Sequence, residues 1–142
     1  MNILFDTNVV LDVLLDREPF AADAATLLSK VEQNQISGYL CASTVTTIHY
    51  LIAKALGSQE AVRHIQSLLS LFNVAPVNRG VLEQALAASF SDFEDAVLHA
   101  AACHAGVQSI VTRNVRDFSK ATLPVFTPVE LINALQVLDS QE

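Results

Sequence analysis

The chain has 142 residues, of which 51% are hydrophobic, and its formal net charge at pH 7 is −7. This length suits one ordinary domain with a full apolar core, so we expect residues 1–142 to form a single domain. The negative charge argues against a protein that gathers nucleic acid through a global positive field. It does not exclude a nuclease, because a carboxylate cluster adds to this charge and bound cations would reverse its sign locally.

The cysteines and the start of the chain bear on its compartment. Cys41 and Cys103 both lie inside apolar segments, without the close Cys or His spacing of a zinc site. We interpret them as free thiols in a reducing compartment. The first residues lack a basic leader, and Asp6, Asp12 and Asp16 interrupt their apolar runs, which argues against a signal peptide or a membrane span. We therefore expect a cytoplasmic protein that has no association with a membrane.

Short apolar runs alternate with longer helical patterns along the chain. The runs predict strands near residues 2–5, 37–41, 73–77, 108–112 and 124–126. The longer patterns predict helices near residues 8–15, 21–33, 43–56, 58–71, 78–88, 92–105 and 128–137. Such alternation is typical of βαβ units. The sequence therefore predicts an α/β fold, a three-layer α/β/α sandwich with a mostly parallel sheet of four to five strands.

Acidic and amide side chains follow the first predicted strand directly. Asp6, Thr7 and Asn8 stand where a buried parallel strand would deliver polar groups to the carboxyl edge of a sheet. Open α/β sheets place their chemistry at that edge. Because Thr7 and Asn8 are available to cap the next helix, we interpret Asp6 as surplus to capping and as a functional residue. We interpret Asp12 and Asp16, four residues apart on that helix, as a solvated face.

The sixth predicted helix carries a second group of acids. Ser91 and Glu94 have the spacing of a capping box, which gives Glu94 a structural role. Asp95 lies further in, on a helix that is apolar nearly all round, with no Lys or Arg at helical spacing to pair with it. Asp92, Asp95 and His99 share one face. We favour a metal-directed role for Asp95, leave Asp92 open between that role and the helix dipole, and interpret His99 as a hydrogen-bonded neighbour or core residue.

Polar side chains also follow the fourth predicted strand, on the same sheet edge as Asp6. Asn114 and Asp117 are either turn and cap residues or part of a site there. The Thr112 hydroxyl is placed to donate a hydrogen bond to a ligating carboxylate, a contact that metal sites usually need. Carboxylates from three segments that converge on one edge suggest a magnesium or manganese site, because hard cations prefer oxygen ligands.

The few basic residues are scattered, with one exception after the fourth strand. Arg113, Arg116 and Lys120 fall together beside the predicted acidic site. They form either a solvated loop or a patch that positions the phosphates of a nucleic acid.

Three motifs together resemble the PIN-domain ribonucleases, a family that includes the toxins of VapBC toxin-antitoxin pairs. They are Asp6-Thr7-Asn8, Asp92-Phe93-Glu94-Asp95-Ala96 and Thr112-x-Asn114-x-x-Asp117-Phe118, in the family's order and spacing over nearly the whole chain. The resemblance implies endonucleolytic cleavage of RNA that depends on Mg²⁺ or Mn²⁺, by attack of a metal-activated water on the phosphodiester. It implies ligands at Asp6, Asp95 and Asp117, with Asp92, Asn8 and Asn114 in support and Thr112 ordering the site.

One position departs from the family. PIN nucleases usually carry a glutamate on the helix after the second strand, and residues 43–50 contain no acid. Thr46, Thr47 or His49 occupies the place, and we slightly favour His49. The loss leaves several alternatives open: one metal instead of two, weak activity, or a catalytically weak PIN-like module that binds RNA or a partner protein.

The resemblance also implies partners beyond an RNA substrate. A cognate antitoxin protein and a homodimer are both expected from it. The predicted helices between residues 43 and 72 carry apolar side chains that either pack in the core or form such a dimer interface. These side chains are Tyr50, Leu51, Leu68, Leu69 and Leu71.

Overall fold

A five-stranded sheet lies between two layers of helices in the computed structural model, which describes residues 1–140. The strands are β1 (Asn2–Phe5), β2 (Ser37–Cys41), β3 (Asn73–Ala75), β4 (Ser109–Val111) and β5 (Val125–Phe126). The helices are α1 (Thr7–Leu14), α2 (Ala21–Glu32), α3 (Ala42–Leu56), α4 (Ser58–Leu71), α5 (Arg79–Ala87), α6 (Phe93–His104) and α7 (Pro128–Ser140). A 3₁₀ helix, Val115–Phe118, connects β4 to β5.

The central strand β1 is buried on both faces, which explains its uninterrupted apolar run. Ile3 and Phe5 point to one face, where they pack with residues of α1 to α4 and α7. Leu4 points to the other face, against α5 and α6. The predicted three-layer α/β/α sandwich is therefore confirmed.

All four strand pairs are parallel, and the strand order is β3-β2-β1-β4-β5. The chain leaves β1 towards β2 on one side and leaves β4 towards β5 on the other side. A crevice therefore opens at the carboxyl ends of β1 and β4, where sheets of this kind bind their ligands. The two strands stay joined at this point, because the backbone N–H of Asp6 donates to the carbonyl of Val111 at 3.0 Å.

The predicted elements lie where the sequence indicated, with ends that differ by at most three residues. Strand β3 ends at Ala75, not at residue 77, and α7 continues to Ser140, not residue 137. The 3₁₀ helix Val115–Phe118 was not predicted. It spans a single turn, which is too short to produce a periodic apolar pattern.

The apolar residues of α3 and α4 divide between core and surface. Leu68 is buried, and Leu51 and Leu71 pack against the core from partly buried positions. Tyr50 and Leu69 remain 63% and 49% exposed. A homodimer through this surface stays a prediction.

Thiols and membrane association can be compared with the sequence-based expectations. Cys41 is buried and Cys103 is partly buried, and both are free cysteines. Within residues 1–140, no helix is both long and apolar enough to cross a membrane.

Candidate metal centre

Asp6 lies at the start of the crevice and is only 8% exposed. Its Oδ1 accepts a hydrogen bond from the backbone N–H of Thr7 at 2.7 Å, so Asp6 is the N-cap of α1. The expectation that Asp6 is surplus to capping was wrong, because its extended backbone directs the carboxylate back over the first amide of the helix. Its Oδ2 accepts from the Thr112 hydroxyl at 2.7 Å. A carboxylate has about four lone-pair positions, so further acceptor capacity remains.

The Thr112 hydroxyl is fixed by its other contacts. Thr112 is fully buried, and its Oγ1 accepts from the backbone N–H of Asn114 at 3.0 Å. The hydroxyl proton is thereby directed to Asp6. Asn8 spans the same gap, since its Nδ2 approaches Asp6 Oδ2 at 3.4 Å and its Oδ1 accepts from the Arg113 backbone N–H at 3.3 Å. Side chains at the ends of β1 and β4 therefore hold Asp6 in one orientation.

Helix α6 brings a second carboxylate to the crevice. Asp92 is its N-cap, and Asp92 Oδ1 accepts from the backbone N–H of Asp95 at 3.1 Å. The predicted capping box of Ser91 and Glu94 was wrong, because the helix begins one residue later and its cap is an aspartate. Glu94 is an exposed residue of the first turn, where its charge suits the helix dipole. Asp95 is partly buried and faces the crevice.

The crevice is an open hollow of about 330 Å³, called the acidic hollow below. Side chains from α1, from the start of α6 and from the segment after β4 surround it. Its lining residues are Asp6, Thr7, Asn8, Leu11, Arg17, Asp92, Glu94, Asp95, Arg113, Asn114 and Asp117. The structure thus brings Asp6, Asp95 and Asp117, which come from three segments, to one hollow.

The carboxylates of the acidic hollow repel one another. Burial, followed by the charges of Asp6, Asp92 and Asp117, raises the pKa of Asp95 to about 7. Burial also raises the pKa of Asp6, although the hydrogen bonds from Thr112 and Thr7 oppose that rise. A raised pKa means that the charged form is destabilised, and a bound cation relieves this cost as well as a proton does.

The donor chemistry of the acidic hollow fits a hard divalent cation. Its carboxylate and amide oxygens are the ligands that Mg²⁺ and Mn²⁺ prefer. Among residues 1–140, no Lys or Arg forms a salt bridge with Asp6, Asp95 or Asp117. No three His, Cys, Asp or Glu side chains of these residues lie close enough together to hold a metal ion. Binding a metal would therefore require the carboxylates to draw together.

The basic residues next to the acidic hollow have different environments. Arg113 and Arg17 both pair with Asp12, at 2.7 and 2.8 Å, and the Asp12 side chain is only 1% exposed. The interpretation of Asp12 as a solvated residue was wrong, because the segment after β4 and the turn after α1 close over it. Arg116 and Lys120 are exposed, and neither forms a salt bridge within the described part of the chain.

Little in the sequence indicates that Asp12 is buried. Asp12 lies four residues after Asn8, on the side of α1 that faces the segment after β4. Asn8 and Arg17, which is five residues after Asp12, are the local signals, whereas Arg113 is 101 positions away in the chain.

Helix α3 reaches the crevice through its first turn only. The hydroxyls of Thr7 and Thr44 are 3.3 Å apart. Thr47 is about 60° from Thr44 around the helix, whereas exposed His49 is about 140° away. No α3 residue in the described chain lines the acidic hollow. Thr47 is therefore closer than His49 to the face that approaches the site.

His99 lies on the inner side of α6 as a core residue. It is 5% exposed, and its Nε2 accepts a hydrogen bond from the backbone N–H of Thr122 at 3.0 Å. Burial lowers the pKa of His99, which favours the neutral imidazole that this bond requires. It is absent from the lining of the acidic hollow.

A comparison with family models decides the relationship of this chain to known proteins. A model of the PIN domain matches residues 2–116, which include β1, the start of α6 and residues 112–116 after β4. The chain belongs to the PIN domain family. Among curated proteins, none matches this PIN protein.

Solved structures show the same fold. One chain of FitAcB from Neisseria gonorrhoeae is 25% identical, with a TM-score of 0.69 over 89% of this chain and 98% of that chain. A toxin-antitoxin complex from Klebsiella pneumoniae is similar, at 24% identity and a TM-score of 0.67 over 89% and 97% of the two chains. VapC20 from Mycobacterium tuberculosis, described as a Sarcin-Ricin loop cleaving toxin, is 18% identical, with a TM-score of 0.62 over 76% and 86%. The PIN fold of this chain is thus shared with proteins of toxin-antitoxin systems.

Proposed function

We propose that this PIN protein is a metal-dependent endoribonuclease of the VapC toxin type, with Mg²⁺ or Mn²⁺ in the acidic hollow. The observation that carries the proposal is the set of unpaired carboxylates Asp6, Asp95 and Asp117 at the β1–β4 crevice. Burial and, after it, repulsion among these acids raise the pKa of Asp95, which is the expected state of a cation site without its cation. VapC20 is described as a Sarcin-Ricin loop cleaving toxin, which supports a cleavage reaction for this fold.

Each residue of the acidic hollow has a defined task in this proposal. Asp6, Asp95 and Asp117 would hold the cation, and Asp92 would add charge from the edge. Thr112 and Asn8 keep Asp6 turned towards the hollow by the hydrogen bonds described above. A bound divalent cation would supply a water of lowered pKa and would neutralise charge on the phosphate.

Positive side chains next to the acidic hollow would position the RNA backbone. Arg116 and Lys120 are exposed and have no salt-bridge partner among residues 1–140, so both charges are available to phosphates. Arg113 already pairs with Asp12, so its guanidinium is held in place and only part of its charge is available to RNA. We expect Arg116 and Lys120 to contribute more to RNA affinity than Arg113 does.

A second candidate function rests on helix α3. The usual family glutamate is missing there, and α3 adds no residue to the lining of the acidic hollow among those described. A catalytically weak PIN-like module that binds RNA or a protein would show the same structure.

Cleavage of RNA by the purified protein separates the two functions. Labelled single-stranded RNA incubated with the protein and Mn²⁺ should be cut internally, and EDTA should stop the reaction. Binding of RNA without metal-dependent cleavage would favour the weak module. Failure both to bind and to cleave RNA would contradict the nuclease and the RNA-binding module, and would leave only a module that binds a protein.

The biological setting follows from the same proposal. We expect a single domain over residues 1–142, a homodimer, a cytoplasmic location and a cognate antitoxin. The antitoxin is supported by the similar chains that come from toxin-antitoxin complexes. Co-expression with a neighbouring small gene product should yield a stable complex in which the protein no longer cleaves RNA.

A further inference from the structure

A second cavity, of about 390 Å³, adjoins the acidic hollow. Arg113 and Asn114 line both spaces, so a ligand in the acidic hollow can extend into the cavity without leaving the protein surface. The turn before α2, the first turn of α2 and the start of α7 form its other walls. The full lining is Phe20, Asp23, Arg113, Asn114, Thr127, Pro128 and Val129. We call this space the Phe20 cavity.

One wall of the Phe20 cavity is flat and held in place. The guanidinium of Arg113 lies over the Phe20 ring, 4.0 Å from its centroid. Buried Asp12 fixes this guanidinium through Nε at 2.7 Å and Nη2 at 3.3 Å. Phe20 itself remains 40% exposed, although it is a large apolar side chain. Bases of single-stranded RNA stack on such aromatic rings and guanidinium planes.

The charges of the Phe20 cavity favour a base over a phosphate. The charge of Arg113 is partly offset by Asp12, which also pairs with Arg17. Asp23 is partly buried in the first turn of α2 and has no hydrogen-bond or salt-bridge partner within residues 1–140. A phosphate would be repelled by this free carboxylate. An amino group of a base would be bound by it, because a carboxylate accepts hydrogen bonds from the exocyclic N–H₂ of cytosine.

We propose that the Phe20 cavity receives the base of an RNA nucleotide adjacent to the scissile phosphate, and that Asp23 selects bases with an exocyclic amino group over uracil. The base stacks against the wall of Phe20 and Arg113, and its amino group donates to the Asp23 carboxylate. The inference rests on the proposed function, because its place next to the cleaved phosphate depends on RNA occupying the acidic hollow.

Cytosine and uracil provide a matched pair for the test, because uracil has an oxygen where cytosine has its amino group. Fluorescence anisotropy would measure the affinity of labelled hexacytidylate and hexauridylate for the Asp6→Asn variant, which retains a capping side chain and should not cut them. We expect at least about fivefold tighter binding of hexacytidylate, the lower end of a discriminating base contact. Asp23→Asn in this background should remove most of that preference.

Phe20→Leu tests the stacking wall separately. It should weaken the binding of both oligonucleotides by at least about fivefold, because stacking on aromatic side chains does not depend on the base. Asp139→Asn is the control for Asp23→Asn, because it makes the same charge change at the far end of α7. Leu86→Ala is the control for Phe20→Leu, because it truncates an exposed apolar residue on α5. Both controls should leave the affinities unchanged. Circular dichroism of every variant would establish that it is folded.

The inference would be overturned by equal affinity for the two oligonucleotides, or by no binding of either. An unchanged cytosine preference in Asp23→Asn, or unchanged affinities in Phe20→Leu, would also overturn it. Cleavage by the wild-type protein is scored separately. Cytosine preference without any cleavage would contradict the proposed function and leave the base-binding cavity in place. Cleavage without cytosine preference would do the reverse.

Discussion

Arg113 pairs with buried Asp12 and also lines the acidic hollow, and the acids in these two places differ in their partners. Asp12 is buried and paired with two arginines, Arg17 and Arg113. Asp95 is only partly buried, yet no Lys or Arg among residues 1–140 pairs with it, and its pKa rises to about 7. The more deeply buried acid is therefore the better compensated one.

The contrast separates structural from functional charge. The pairing of Asp12 with Arg113 joins α1 to the segment after β4, which is a cross-link over 101 positions of the chain. Within residues 1–140, Asp95, Asp6 and Asp117 have no Lys or Arg partner, and a proton or a cation would relieve the repulsion among them. Unpaired carboxylates beside a paired one are what the proposed cation site in the acidic hollow predicts.

Removal of single acids from the acidic hollow should have the largest effect. Loss of a residue that only supports a metal ligand typically lowers metal affinity or activity by about 10–100-fold. Loss of a ligand should have a larger effect, so Asp95→Asn should lower the rate of RNA cleavage by more than about 100-fold. Glu94→Gln is the control, since Glu94 is an exposed first-turn residue, and it should retain most activity. Initial cleavage rates in Mn²⁺ give the comparison. Retained activity in Asp95→Asn together with its loss in Glu94→Gln would reverse the assignment.

Breaking the paired group should instead reduce stability. Asp12→Asn removes the charge that holds two guanidinium groups, and disruption of a buried ion pair costs roughly 3 kcal/mol. Asp16→Asn removes an exposed charge from the same region and should cost less than about 0.5 kcal/mol. Urea unfolding of both variants measures the difference. Equal free energies of unfolding for the two variants would contradict a structural role for Asp12.

The pH dependence of stability should distinguish the two groups further. The folded pKa of Asp95, about 7, lies above its ordinary value of 3.8, so the native state holds this proton more tightly than the unfolded state does. The contribution of Asp95 to stability is therefore lost as pH rises from about 4 to about 7. In EDTA, the stability gain of Asp95→Asn over the wild type should grow from pH 5 to pH 8 in urea unfolding. A gain that is constant with pH would contradict the raised pKa.

A carboxylate restored on α3 should have the smallest effect. Thr47 lies near Thr44 around the helix, and the Thr44 hydroxyl contacts Thr7. Thr47→Glu should therefore tighten Mn²⁺ binding about a few-fold, because it adds a carboxylate ligand for a hard cation. His49→Glu, which points away, serves as the matched comparison and should change little. Calorimetric titration of Mn²⁺ would rank the two variants. Tighter binding only in His49→Glu would support the original preference for His49 as the vacant position.

The sequence predicted the fold and the approximate place of the site for a simple reason. Buried parallel strands are short, continuous apolar runs, so β1 and β4 were recognisable, and the polar residues after them had to meet at one edge. The hydrogen bond between Thr112 and Asp6 is a consequence of that meeting.

Residues whose roles depend on distant partners were misread. Asp12 and Asp16 look alike in sequence, and they differ in the folded chain because Arg17 and the distant Arg113 both pair with Asp12. The N-cap of α6 was placed at Ser91 because Ser91 and Asp92 are both good caps, and the choice depends on where the helix begins. Asp6 was judged surplus for the same reason, since Thr7 and Asn8 offered equivalent local chemistry.

The central claim, a cation site in the acidic hollow, is tested most directly by calorimetric titration of Mn²⁺. The titration uses the metal-free wild-type protein and the Asp95→Asn variant, near pH 7 and in two buffers with different heats of ionisation. The account predicts saturable binding to the wild type, accompanied by release of protons because Asp95 has a pKa of about 7. Asp95→Asn should bind Mn²⁺ much more weakly and release fewer protons. No binding to the wild type, or equal binding to both proteins, would contradict a cation site in the acidic hollow.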